Sequence, residues 1–305
     1  MLGAETKFDV TGIALRRHGK SFHFASFFLS KRHADRATQL YALCRHLDDL
    51  ADEAPCPVTA EAILTRFQAD LKADTAAGFF QTAFLTLRRD TDMPLAPMLD
   101  LIDGLICDLG TVRIADEVKL LNYCYQVAGT VGLMMCAVLD VRDPKAYTAA
   151  ISLGVAMQLT NIARDIGADA ALGRRYLPAS WVGTLEPDVL LAPTPRIKRD
   201  LAAATHRLLA LADEHYRIGE AGLGYLPWRA RFAILVAARV YREIGKVIAE
   251  AGYQSWRGRA HVSPWRKLLV AAQAVAVFAY RFGCRLDGNA VGMPIGEGVH
   301  DRRQV

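Results

Sequence analysis

Apolar residues recur at spacings of three and four along most of the chain. They do so in stretches 31–53, 59–75, 116–139, 145–172, 197–222 and 228–252, where Ala, Leu, Arg and Glu dominate. That period is the signature of amphipathic or buried helices, and those residues are helix formers. Proline respects the same divisions: none falls between Pro57 and Pro94, Pro97 and Pro144, Pro144 and Pro178, Pro195 and Pro227, or Pro227 and Pro264. Proline is excluded from helix interiors, so each gap has room for one or two helices. No alternating run of β-branched residues sits between turn signals, and a sheet is not expected.

The pattern predicts one all-α domain over residues 1–288, a helical bundle. The glycine-rich, polar stretch 289–305 is expected to be a flexible tail. Composition agrees: 305 residues, 52% hydrophobic and 23% charged, describe a globular chain with an ample core. The N-terminal MLGAETKFDV carries early charges and no apolar run, unlike a signal peptide. The most apolar late stretch, 268–280, falls short of the roughly 20 residues that span a bilayer. A cytoplasmic protein able to lie against a membrane is the expectation.

The net charge of +5 changes this picture little. No block of like charges forms a nucleic-acid arm, so no nucleic-acid partner is expected. Mild basicity does suit a phosphorylated substrate or anionic lipid. Six dispersed cysteines without a CxxC read as buried, reduced thiols rather than disulfides or a zinc site.

The chemistry concentrates in two acidic stripes. In Arg45-His46-Leu47-Asp48-Asp49-Leu50-Ala51-Asp52, Asp48 and Asp52 share one helix face with Arg45. In the segment 158–169, Gln158, Asn161, Asp165 and Asp169 fall within a stripe roughly 80° wide. All four are oxygen donors on an otherwise apolar helix. Aspartates four apart also occur on solvated faces, and His46 reads as a satisfied histidine rather than a ligand. Here, however, carboxylates in an apolar setting would be poorly solvated and would repel one another. A hard divalent cation removes both costs, and magnesium favours carboxylates shared with substrate phosphate. Two such helices facing each other would clamp a diphosphate. Downstream, Gly173 is placed to cap the second helix, and Arg174 and Arg175 stand where they would reach a phosphate or simply offset the negative end of the helix dipole.

These residues resemble the squalene and phytoene synthase family, most closely its bacterial phytoene synthases. The likeness runs in order through Ser21-Phe22-His23-Phe24-Ala25, the block 40–49, and Tyr123-Cys124-Tyr125-Gln126-Val127-Ala128-Gly129. It continues through 158–165, Gly173-Arg174-Arg175-Tyr176-Leu177-Pro178, the block 238–245 and the basic stretch 257–267. The resemblance implies an isoprenoid synthase fold with a central cavity, in which Asp48, Asp52, Asp165 and Asp169, with Asn161, hold magnesium (or manganese) against substrate diphosphate. It implies substrate contacts from Ser21, Arg45, Gln158, Asn161, Arg174, Tyr241 and Arg259. It places Tyr123, together with Tyr125, at the reaction cavity, where an aromatic face can shield a cation; core packing would explain both tyrosines equally. Two positions depart from the family pattern: Ala168 stands where many members have Glu, and Gly19 where some have Ser.

The implied reaction joins two geranylgeranyl diphosphates head to head through a cyclopropyl intermediate, prephytoene diphosphate, giving phytoene and diphosphate. NADPH is not expected. Three alternatives stay open at this point. One is a C30 enzyme acting on farnesyl diphosphate to give squalene, dehydrosqualene or a hydroxylated relative. The others are a non-catalytic family member and a helical lipid-binding module.

Overall fold

The computed structural model describes residues 27–52 and 54–282, with the side chain of Asp52 left out. Ser21 and its block, Gly19, Cys284 and the expected tail lie outside the described residues.

Among the described residues the fold is helical throughout. The helices are α1 (Lys31–Asp52), α2 (Pro57–Lys72), α3 (Phe79–Thr91), α4 (Ala96–Cys107), α5 (Glu117–Cys124), α6 (Thr130–Val138) and α7 (Lys145–Ala171). They continue as α8 (Ala179–Val182), α9 (Pro187–Leu191), α10 (Pro195–Ala221), α11 (Trp228–Glu250) and α12 (Pro264–Phe282). Short 3₁₀ turns lie at Gly222–Tyr225 and Ser255–Arg257. Proline marks the start of α2, α4, α9 and α10, where its missing N–H costs nothing. Asp116 and Thr194 cap α5 and α10 by accepting from the N–H groups of Lys119 and Ile197. All six expected helical stretches are present. The one at 116–139 is interrupted by a π-helical turn, Tyr125–Gly129, between α5 and α6. No helix among the described residues is long and apolar enough to cross a membrane.

Helix α7 runs through the centre and packs on α10, α6, α11, α9 and the π turn. It is apolar on most sides, as a core helix must be. Gly154 lets the chain of the π turn approach α7: a Cβ there would meet the carbonyl oxygen of Ala128 at 2.2 Å. On the other flank the buried hydroxyls of Thr160 and Tyr216 join α7 to α10 at 3.1 Å.

Two large cores result. One gathers Leu159, Ile162 and Ile166 of α7 with Leu201, Leu208 and Tyr216 of α10. The other gathers Leu40, Leu43 and Leu47 of α1 with Phe67, Phe84, Met98 and Met134. Helix α6 touches both α1 and α7 and so fixes one relative to the other. A smaller core binds α12 to α11 through Val236, Val240, Val270 and Ala274. The described cysteines are all free, but only Cys124 and Cys136 are buried. Cys56 and Cys107 are exposed at helix ends, where the apolar period that suggested burial no longer operates.

Candidate active site

The C-terminal half of α7 carries the second stripe. Asp165 accepts from Arg164 Nε at 2.9 Å and Nη2 at 2.5 Å. It also accepts from Arg259 Nη2 at 3.0 Å, and Arg259 Nε lies 2.8 Å from its other oxygen. One carboxylate is thus held by two guanidinium groups, one local and one from a loop almost a hundred residues away. That loop reaches α7 because Gly167 leaves room for the backbone of Trp256; a Cβ on Gly167 would sit 2.9 Å from the Trp256 carbonyl oxygen.

Asp169, one turn further, is differently placed. Burial, then the Asp165 carboxylate and Asp108, push its carboxyl up to about 7, against the pull of Arg174 and Arg164. Arg174 and Asp169 line one recess with Ile162, Ile166 and Tyr176. Asn161, at the middle of the stripe, donates to Gln158 Oε1 at 3.3 Å, while its own buried Oδ1 has no hydrogen-bond partner. A buried acceptor left without a donor is costly.

The helix end supports this arrangement. Gly173 is left-handed, its N–H bonds to Ala170 O at 2.9 Å, and Arg174 N–H bonds to Asp169 O at 2.9 Å. That pair of bonds is a Schellman cap, as the position of Gly173 led us to expect. The two arginines that follow both line that recess. Arg174 acts on the charge of Asp169, and Arg175, buried at 3% exposure, donates to the carbonyls of Ile114 and Leu177. Arg175 thereby ties the chain after α7 to the chain before α5.

On α1, Asp48 and Asp49 are both part-exposed. Arg45 ion-pairs with Asp49, one turn on, and also feels the charge of Asp48. His46 stacks on Phe80 with ring centroids 3.6 Å apart. Tyr41 and Tyr241 connect the two acidic sets. Burial raises the Tyr41 hydroxyl, Arg45 opposes this, and Tyr241, Asp48 and Asp49 add to it. Burial likewise raises Tyr241, which senses Arg164, Arg259 and Asp165. Tyr41 thus senses both Tyr241 and Asp48, and Tyr241 senses Asp165, so the two tyrosines couple the two acidic sets electrostatically.

Tyr123 is buried, stacks on Tyr176 at 4.8 Å and donates to Asp108 at 2.8 Å. Tyr176 donates to the other oxygen of Asp108 at 3.0 Å. Asp108 is the residue that sequence reasoning missed. It is a lone acid just past α4, without a partner at helical spacing, and only the fold brings it to Asp169. Tyr125 donates to Asp100 at 3.1 Å instead.

Among the described residues no three His, Cys, Asp or Glu side chains are gathered as a ready-made metal cage. The donor set nevertheless fits a magnesium-like ion, which uses one or two carboxylates and takes its other ligands from water and substrate. The orphaned Asn161 oxygen and the mutual repulsion of Asp165 and Asp169 are the features such an ion would relieve. A cleft of about 650 Å³ lies elsewhere, between α10, α11 and α12. Its charges pair among themselves, as Arg242–Asp213 at 2.6 Å and Lys246–Glu243 at 2.8 Å, and it holds none of the stripe residues.

Comparison with known proteins follows this geometry. The family model described as squalene/phytoene synthase matches residues 15–266. A 15-cis-phytoene synthase from Enterobacter agglomerans is 36% identical over 85% of this chain and 92% of its own length. A phytoene synthase from Thermus thermophilus is 35% identical over 90% and 94%. The crystal structure of a dehydrosqualene synthase in complex with ligand superposes with a TM-score of 0.79 at 27% identity, covering 90% of this chain and 98% of that one.

Proposed function

The chain belongs to the squalene/phytoene synthase family, and we propose that it is a phytoene synthase that condenses two geranylgeranyl diphosphates at the meeting point of α1 and α7. The observation that carries this reading is the oxygen-donor stripe Gln158, Asn161, Asp165 and Asp169, built into a core helix, with the buried Asn161 Oδ1 left without a hydrogen-bond partner. Family relatives named phytoene synthases, 35–36% identical over most of the chain, support the reaction class.

In this reading Asp48, Asp52, Asp165, Asp169 and Asn161 hold magnesium, with manganese as a substitute. When bound, the ion supplies positive charge to a departing diphosphate. The chain's own groups do the rest. Arg45, Arg174 and Arg259 offer planar donor sets to phosphate oxygens. Arg164 holds and orients the Asp165 carboxylate through two hydrogen bonds. Tyr41 and Tyr241, both part-buried and un-ionised, limit water and offer hydroxyl donors. Tyr123, fixed by Asp108 and Tyr176, presents an aromatic ring where an allylic cation needs shielding. Gln158 and Ser21 complete the proposed substrate contacts, and no step requires NADPH. The protein is proposed to work in the cytoplasm with peripheral membrane contact, since its substrate and product are long apolar chains.

Purified protein incubated with magnesium and either the C20 or the C15 diphosphate tests this. Phytoene and diphosphate formed from the C20 substrate are the expected products. Exclusive use of the C15 substrate would overturn the phytoene reading in favour of a C30 enzyme, the second reading that the dehydrosqualene synthase superposition supports.

A further inference from the structure

Helix α4 turns one face to the tyrosine block. Asp100, Gly104 and Asp108 stand four residues apart, and at 100° per residue they fall within an arc of roughly 80°. Gly104 makes the close approach: a Cβ there would sit 2.9 Å from Gln126 Cβ and 3.0 Å from Val127 Cγ1 of the π turn. On either side of that contact an acid takes a tyrosine hydroxyl. Asp100 accepts from Tyr125 at 3.1 Å, and Asp108 accepts from Tyr123 at 2.8 Å. Asp108 does so twice, because its other oxygen accepts from Tyr176 at 3.0 Å.

Packing alone does not call for this arrangement. Leu101, Ile102 and Leu105 already seat α4 in its core. Phenylalanine at positions 123 and 176 would fill the same stacked space with no acid to solvate beside it. Instead two buried tyrosines spend their hydroxyls on one carboxyl group, one on each oxygen, as the charged form of Asp108 accommodates. The rings are affected in two ways. Their placement is fixed, with centroids 4.8 Å apart. A phenol that donates to an anion is also polarised, so its ring face is richer in electrons and holds a cation better. Tyr176 lines the recess of Asp169 and Arg174, so the stack runs from the proposed diphosphate site to Tyr123.

We propose that Asp108 is a positioning residue of the condensation: through the hydroxyls of Tyr123 and Tyr176 it sets the aromatic face met by the cation that forms when the cyclopropyl intermediate loses diphosphate. Asp108 itself makes and breaks no bond. The inference rests on the phytoene synthase reading and adds which half of the reaction Asp108 governs. In the first half, the double bond of the second substrate quenches the allylic cation as it forms. In the second half, a cation must survive a rearrangement of its skeleton, so a misplaced or electron-poor ring costs more there.

The test uses purified full-length protein with magnesium and two substrates, the C20 diphosphate and prephytoene diphosphate supplied directly. Asp108→Asn keeps one acceptor oxygen but loses the charge and turns its other end into a donor. We expect consumption of the C20 substrate to fall less than about threefold and conversion of prephytoene diphosphate to fall at least about tenfold, so that the intermediate accumulates. KM for prephytoene diphosphate should hold while kcat falls. Tyr123→Phe should reproduce that split, and Asp108→Asn/Tyr123→Phe should be no slower than Tyr123→Phe alone. An Asp108→Asn enzyme that slows both halves equally, or a double variant whose losses multiply, overturns the proposal and leaves Asp108 a role in folding only. Where melting shows that Asp108→Asn does not fold, Tyr176→Phe decides: intermediate must accumulate, and a normal split overturns the proposal. A wild type that uses only the C15 diphosphate overturns the phytoene reading alone, and Asp108 is then judged by the same split on the C15 cyclopropyl intermediate. A wild type inert toward both substrates overturns both.

Discussion

Helices α1 and α7 carry acids of the same type but hold them by different means. On α7, Asp165 is gripped by Arg259 from a distant loop as well as by its neighbour Arg164, and Asp169 is crowded by Asp165 and Asp108. On α1, Arg45 pairs with Asp49 one turn away on the same helix. The Asp165 carboxylate is thus held across the fold, and the Arg45–Asp49 pair within a single helix turn. The acids of α7 are therefore organised before any ligand arrives, at the expense of crowding that a ligand would relieve.

The largest expected effect tests whether the chemistry ignores this asymmetry. Asp165→Asn and Asp48→Asn should each lower turnover by roughly 10²–10³-fold or more, since each removes charge aimed at the leaving group. An Asp48→Asn enzyme with normal turnover would break the comparison and the two-helix site with it. Next, Gly154→Ala should destabilise by about 2 kcal/mol, because a methyl group there meets the Ala128 carbonyl. Thr38→Ala on α1 should stay within about 0.5 kcal/mol, because that hydroxyl only bonds back to Ala34 O of its own helix. Paired melting curves check both.

A smaller effect follows from Asp169. Its carboxyl is raised to about 7 in the folded chain and has an ordinary low value when unfolded. Between these values the folded state binds more protons, so this group's contribution to stability is greatest at low pH and is lost as pH rises through about 7. Metal-free protein should therefore lose on the order of 1–2 kcal/mol between pH 5 and pH 8 through this group. Asp169→Asn should flatten that slope in denaturant titrations. Smallest are the arginine truncations. Arg45→Ala should cost a few tenths of a kcal/mol, as one-turn helix pairs do. Arg259→Ala should cost about 1 kcal/mol, since it also frees the loop that carries it.

Helical period and proline spacing made the six long helices legible, because both act through the local backbone. The same locality explains what was missed. Helices α3 and α4 lie inside a stretch the period did not single out, and the π turn left no mark in the pattern. The two aspartate stripes were visible because each sits on one helix. Asp108 was not, because its partners Tyr123, Tyr176 and Asp169 come from three other parts of the chain. The carbonyl bonds of Arg175 to Ile114 and Leu177 were hidden for a related reason, since the Ile114 carbonyl comes from a distant part of the chain. Ser21 and the Asp52 side chain lie outside what the structure describes.

The π turn at Tyr125–Gly129 has one further consequence. Such a turn accommodates one residue more than an α-helix would in the same rise. Deleting a single residue there would let regular α-helical bonding run through with little change of register beyond it. Deleting one within α6 instead would rotate everything downstream by about 100°. Gly132, where a Cβ would sit 2.2 Å from the Ala150 carbonyl oxygen of α7, would then be swung away and a bulkier neighbour driven into that carbonyl. The turn is therefore the one place in this segment where chain length can drift, while α6 itself is closed to it.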